Sequence, residues 1–308
     1  MPDPYWPTRV YSIGKHLREY GYYPSWMPLC VYTDHGAVDS YKPAKHELES
    51  DAPIQLRHSP TSKIAWEKYS TTPCFLMLSP FVFYRNKHNI YPMTNAYGTI
   101  AFPAHGTQYI DDVSDIKLYI EQLLNLPSKF QPVSVCLHMS DIVKGKHHIF
   151  LKYKIPVYTA GNYLDDRFTQ RFYNIIKNFK YATSNMVGSY LYYCVEMGIP
   201  FSIYGNKQSF VNHGDPNLPP GKYDPYANSP YFQKATNMFS GLFTEISPAQ
   251  KNYVAKTLGL NEGLSRKKMA WVLYSAFFKW IFSIASIRFA YKIFCYILRK
   301  LNLNTKTN

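Results

Sequence analysis

Phe179–Gly205 reads FKYATSNMVGSYLYYCVEMGIPFSIYG, and its order of signals is strand end, turn, helix, turn, strand. Thr183, Ser184 and Asn185 are three N-cap formers in a row, which predicts a helix beginning near Met186. Gly198 stands at the usual C′ position after Met197, and Pro200 blocks continuation. Phe201–Tyr204 is then a short β-prone run closed by Gly205. A hydroxyl-rich helix start attracts anions, because orphan backbone N–H groups and the helix dipole both favour a phosphate there. Lys180, Thr183, Ser184, Asn185 and Ser189 are therefore the expected phosphate-side residues.

Upstream, the pattern repeats. Pro132–Leu137 and Lys154–Ala160 read as strands, and a helix follows over Asp165–Asn178. Strand, helix, strand, helix through 132–205 predicts a parallel, doubly wound α/β sheet. Val113–Leu126 is an amphipathic helix with Ile116, Tyr119 and Leu123 on its apolar stripe. Leu29–Thr33 predicts a strand that delivers Asp34, His35 and Gly36 at its carboxyl end, where open α/β sheets hold ligands. Thr99–Phe102 predicts another, followed by His105, Gly106 and Thr107. In a His-Gly pair the glycine admits a close backbone approach and the imidazole titrates near neutrality. A loop histidine beside a turn glycine is the plainer alternative, and a third pair at His213-Gly214 shows that the pattern recurs without a strand. Cys74–Tyr84 reads as a buried strand, with Pro80 a point where it bends or ends, and Arg85 follows directly, a side chain suited to clamping a phosphate or pairing with a carboxylate. Residues 206–237 are rich in Pro, Gly, Asn and Tyr and read as a draped loop. Ser247-Pro248-Ala249-Gln250 spells a capping box.

Ser184 and Asn185, with Glu196, Gly198 and Pro200 in VEMGIP and GTIAFPAHGT upstream, resemble the second-domain signature of GT-B glycosyltransferases, and in particular those of bacterial capsule, lipopolysaccharide and exopolysaccharide clusters. The resemblance covers about residues 30–205 and rests on pattern. It implies two Rossmann-type halves and a nucleotide-sugar donor as co-substrate, with no metal and no other cofactor. It also implies that Glu196 binds the donor's ribose or sugar, that Gly36, Arg85, Gly106 and Thr107 border the donor, and that His35 or His105 acts as base. Asp34 and Asp141 are the further catalytic carboxylates under this reading. No His-Pro pair is present, which departs from the related sialyltransferases.

Composition bounds the rest. The 308 residues suffice for two small domains, expected as 1–128 and 129–262, and a 46% hydrophobic content supplies a core. Net charge is +14, but residues 264–308 hold nine Lys/Arg and no Asp or Glu, so subtracting those nine leaves +5 for the remainder. That distribution, without a recognisable binding motif, speaks against nucleic acid. Five widely spaced cysteines imply neither a disulfide framework nor a zinc site, and no secretory leader is legible at the amino end. The tail, 263–308, predicts two amphipathic helices with a break at Ser283–Ser286. Lys268, Ser275 and Lys279 share a stripe, and Arg288, Lys292 and Arg299 share another. Such helices lie on an anionic leaflet, which places the protein peripherally at the cytoplasmic face of the inner membrane, near a glycan or lipid-linked acceptor. A glycerol- or ribitol-phosphate transferase and a non-catalytic membrane-docked scaffold are the competing functions.

Overall fold

The computed structural model describes residues 3–37, 39, 42–107, 109–216, 218–224, 229–283, 287–291, 293 and 294. Helix α1 (Ile13–Tyr20) precedes a three-stranded parallel sheet of β1 (Tyr32–Thr33), β2 (Gln55–Arg57) and β3 (Cys74–Leu76), in that order. The short α2 (Lys45–Leu48) and α3 (Pro60–Tyr69) lie between these strands. Ser59 caps α3 by accepting the Ser62 N–H, and Pro60 starts it.

After α4 (Pro80–Lys87) the second sheet begins with β4 (Thr99–Ala101). Along the chain follow β5 (Ile110–Asp112), α5 (Ile116–Leu124), β6 (Val133–Cys136), α6 (Met139–Val143), α7 (His147–Lys152), β7 (Val157–Tyr158) and α8 (Phe168–Ile176). Then come β8 (Tyr181–Ser184), α9 (Ser189–Met197), β9 (Phe201–Ile203), β10 (Phe210–Asn212), β11 (Gly221–Tyr223), α10 (Pro230–Phe239), α11 (Pro248–Thr257) and α12 (Arg266–Ile281). The second sheet is parallel throughout, with order β7-β6-β4-β8-β9. The chain starts in the middle at β4, builds outward to β7, then returns to β8 and builds the other way. Alternating strand residues feed two cores: Ile100, Cys136 and Ala182 face α8, α9 and α11, whereas Ala101, Val135 and Tyr181 face α5 and α7.

The doubly wound parallel sheet is as the residues predict, and the capping box at Ser247 and Gln250 forms. Several expectations are corrected. The apolar run 74–84 is a three-residue strand followed by helix α4, because Ser79-Pro80 starts a helix and Phe81, Val82 and Phe83 are buried on several sides at once. A short all-apolar run has no period to distinguish the two. β4, expected in the first half, is the centre of the second sheet, so the sheets divide before Thr99 rather than at residue 128. The draped stretch contains β10 and β11, which pair antiparallel beside β5 as a third small sheet, and α10.

The tail is corrected most. One side of α12 does not face a membrane: Met269, Val272, Leu273, Ala276 and Trp280 are buried with Leu17, Tyr23, Met27 and Leu56 in the core of the first sheet. Most of the expected break, together with Lys292 and Arg299, lies outside the described residues.

The two sheets share the core under α9, to which Phe81 and Val82 of α4 belong, and a buried ion pair sits at its edge. Arg85 of α4 donates to Glu196 of α9 through Nε (2.7 Å) and Nη2 (2.5 Å), and through Nη1 to the Ile90 carbonyl. Both side chains are less than a tenth exposed. Burial pushes the Glu196 carboxyl up, and Arg85 pulls it back. Removing one partner of such a pair strands the other charge. Arg85→Ala is therefore expected to cost about 3–5 kcal/mol in urea unfolding, while the joint change Arg85→Met with Glu196→Leu recovers most of it.

Candidate functional site

The carboxyl ends of β4, β6, β7 and β8 open into one cleft of about 370 Å³. Its floor lies where the strand order reverses, between β4 and β8, which is where open α/β sheets bind ligands. Phe102–His105 enter from β4, Cys136–Met139 from β6, Thr159–Gly161 from β7 and Met186–Tyr190 from β8. His35 and Gly36 reach it from the carboxyl end of β1, so both parallel sheets contribute. The small antiparallel sheet covers one side with Ile110, Phe210 and Tyr223.

Of the residues expected from sequence, the cleft gathers His35, Gly36, His105 and Ser189. The others have different work. Asp34 is buried and spent on structure, accepting from Arg57 (2.7 Å) and from the His58 N–H (2.9 Å). Arg85 and Glu196 hold each other rather than a donor. Lys180 lies at the amino end of β8, the wrong end of the strand, with its ammonium over the Tyr181 ring. Thr183 and Ser184 are strand residues, because α9 begins five positions later at Ser189 with Gly188 as its N-cap. The Thr183 hydroxyl donates to the Ser202 carbonyl and that of Ser184 to the Phe102 carbonyl (2.6 Å). Asn185 accepts the Ala104 N–H (3.0 Å), tying the β8 end to the β4 end. Their polarity ties the two strand ends together, and Ser184 Oγ also accepts the Met186 N–H (3.0 Å), so the capping signal closes a turn after β8 instead of starting a helix. Thr107 closes a turn onto β5 through its N–H to the Ile110 carbonyl. Asp141 sits in the first turn of α6 behind the β4 end, buried and 3.8 Å from Lys146. Burial raises its carboxyl and Lys146 opposes. Lys146 in turn donates to the Ala104 carbonyl and to Asp112, each at 2.8 Å.

Two glycines are required by close approach. A Cβ on Gly106 would lie 2.3 Å from the Ile110 carbonyl oxygen, and one on Gly36 would lie 2.5 Å from Ser189 Oγ. The bare Gly36 lets the next N–H, that of Ala37, donate to Ser189 Oγ (3.0 Å).

The chemistry-bearing group that sequence reasoning passed over is His138. It was legible as the residue presented at the end of the strand 132–137, and the strand-end rule applied to His35 and His105 selects it equally. Its ring stacks on His105 with centroids 4.5 Å apart. The hydrogen-bond network assigns the His105 tautomer. His105 Nδ1–H donates to the Gly106 carbonyl (3.0 Å), and Ser140 Oγ–H donates to the same carbonyl (2.8 Å). His138 Nδ1 lies 2.7 Å from Ser140 Oγ and faces the Ser140 N–H at 3.3 Å, capping α6. Both imidazoles are thus anchored on one carbonyl by their Nδ1 side. His138 Nε2 is buried and has no partner among the described residues, and His105 is exposed in the cleft. Burial, reinforced by His105, pushes His138 down to about 4, so it is neutral at physiological pH. The His35 ring lies tilted against Trp6 with centroids 4.7 Å apart, and desolvation among the surrounding atoms lowers its pKa.

Among the described residues, no Lys or Arg lines the cleft; aromatic rings such as Tyr11, Phe168, Tyr190 and Tyr193 dominate. The site therefore offers stacking surfaces, imidazoles and the amino end of α9, whose Gly188 cap makes no side-chain hydrogen bond. No family model matches this chain, and neither does any curated protein.

Two outcomes follow from this geometry. Gly36→Ala is expected to lower the melting temperature by driving its methyl into Ser189 Oγ, and adding Ser189→Ala recovers part of the loss. His138 refuses a proton in the folded state that the unfolded chain takes up below about pH 6.5, so folded stability is lost as pH falls from there towards about 4. His138→Gln should flatten that part of a melting-temperature profile.

Proposed function

We propose that the protein is a GT-B-like glycosyltransferase that moves a sugar from a nucleotide-sugar donor to a hydroxyl of a surface-polysaccharide or lipid-linked glycan. The single observation that carries this reading is the convergence of both parallel sheets' carboxyl ends, each bearing a His-Gly pair, on the cleft at the β4/β8 switch point. A nucleoside fits such a crevice between aromatic rings, and the amino end of α9 faces its phosphates. His105 is the base: its Nδ1–H is committed to Gly106, so the Nε2 lone pair is free to take the acceptor hydroxyl's proton as that oxygen attacks the sugar carbon. Neutral His138 stacks on the His105 ring and holds it in place. The departing nucleotide's charge is met by the helix dipole and by His35, because the side chains first expected to meet it, Arg85 and Lys180, are engaged elsewhere.

One observation favours a second reading. A cleft without Lys or Arg among its described lining residues is ill provided for a diphosphate, and suits a non-catalytic scaffold that keeps the fold and binds a neutral glycan on its aromatic rings. Thermal-shift measurements on the full chain with UDP, GDP, CMP, CDP and their sugar conjugates separate the two. Under the transferase reading one nucleotide stabilises the fold, by about 2.7 kcal/mol at a hundredfold excess over Kd. His105→Gln then keeps that stabilisation while turnover falls roughly 10²–10⁴-fold. A folded chain that responds to none of these nucleotides but does respond to oligosaccharide supports the scaffold.

A further inference from the structure

Helix α12 is apolar on two faces, and the fold uses only one. At about 100° per residue, Met269, Val272, Leu273, Ala276 and Trp280 fall on one side, and that side is buried against the first sheet's core. The opposite side carries Trp271, Phe278 and Phe282, which are 66%, 57% and 89% exposed. Lys267 shares that side, Lys268 and Lys279 flank it, and all three are exposed.

Exposed apolar side chains also lie near both ends of the helix. Beyond the helix, the Phe289 ring packs on Trp280 (5.6 Å), holding the following residues against its end, and Ile287 and Tyr291 there are about 70% exposed. Towards the amino end, the Arg266 guanidinium lies 4.0 Å from the centre of the Tyr22 ring, and Tyr274 donates to the Tyr22 carbonyl. That contact sets the loop after α1, with its 73% exposed Trp26, beside the helix. Large aromatic side chains left in water along one helix face mark a contact surface.

Charge selects the occupant. Residues 264–308 hold nine Lys/Arg and no acidic residue. A second copy of this chain would set the same lysines against themselves across a two-fold axis, and the chain's net charge of +14 adds to the repulsion. An anionic lipid surface answers both features: Trp and Phe enter the boundary between headgroups and acyl chains, and lysines reach the headgroups. No described helix is long and apolar enough to cross a membrane.

We propose that the Trp271–Phe278–Phe282 face of α12, extended by Tyr22 and Trp26, is a monotopic docking surface for an anionic membrane leaflet. This relocates the contact expected from sequence, which had assigned the helix's whole apolar breadth to lipid. It stands independently of the transferase reading.

The test is flotation of the full chain with vesicles of phosphatidylcholine alone and with vesicles containing phosphatidylglycerol. The chain floats with the phosphatidylglycerol vesicles, and salt weakens the association. Joint replacement Trp271→Ser, Phe278→Ser and Phe282→Ser, all at exposed positions, leaves the melting temperature unchanged and reduces partitioning at least about tenfold. Lys267→Gln with Lys268→Gln and Lys279→Gln weakens binding and reduces its salt dependence. The proposal is overturned if the folded chain binds neither vesicle or if the serine variant binds as well as the parent. It is equally overturned if sedimentation shows a dimer that the serine variant abolishes, which would make the face a self-association surface.

Discussion

One hydrogen bond governs the geometry of the candidate site. The Ala37 N–H can reach Ser189 Oγ only because Gly36 has no side chain to intervene, and this contact draws the carboxyl end of β1 against the first turn of α9. The Tyr231 hydroxyl adds a second tie, donating to the Ala37 carbonyl at 3.2 Å. At the other end of α9 the Arg85–Glu196 pair fixes the helix to α4. Helix α9 is thus held at both ends by parts of the chain that belong to the first sheet. The cleft that both sheets share is a consequence of that double attachment, since neither sheet's strand ends enclose it alone.

Inside the cleft the polar groups are few and preorganised. The Gly106 carbonyl, whose position is set by its glycine's tight approach to Ile110, orients two imidazoles at once, one directly and one through Ser140. Behind it Lys146 holds the Ala104 carbonyl and balances Asp112 and Asp141. The cation that steadies the β4 end is thus kept out of the lining, and the cleft surface is left to rings. Selectivity in such a site comes from shape and stacking more than from charge.

How much of this was legible depends on the range of the forces involved. Local signals survived well: Gly198 at φ +97 ends α9, Ser247 with Gln250 starts α11, and the β-branched run 133–136 is a fully buried strand. The histidines of both strand-end His-Gly pairs that follow predicted strands do reach the cleft. The failures are tertiary. Thr183–Asn185 has the composition of a helix cap, yet its long-range hydrogen bonds tie it to Phe102, Ala104 and Ser202, which no local pattern reveals. Arg85 and Glu196 are each the right type for a phosphate or a ribose, and their partnership spans 111 positions. The two-sided apolarity of α12 looked like one broad lipid face because sequence periodicity does not say which side has a protein partner.

That helix has a consequence for how the chain is made. The first sheet's core contains Leu17, Val31, Leu56 and Met77, but its cover includes Leu273, Ala276 and Trp280, nearly two hundred residues further on. At ribosomal rates of about 5–20 residues per second, the earliest-made apolar surface waits roughly 10–40 s for the element that seals it. During that interval the exposed edge of the first sheet is open to wrong partners, whereas the second sheet has its own helices from nearby sequence. Birth order and burial order are therefore opposed in this chain, and the half synthesised first is the last to close.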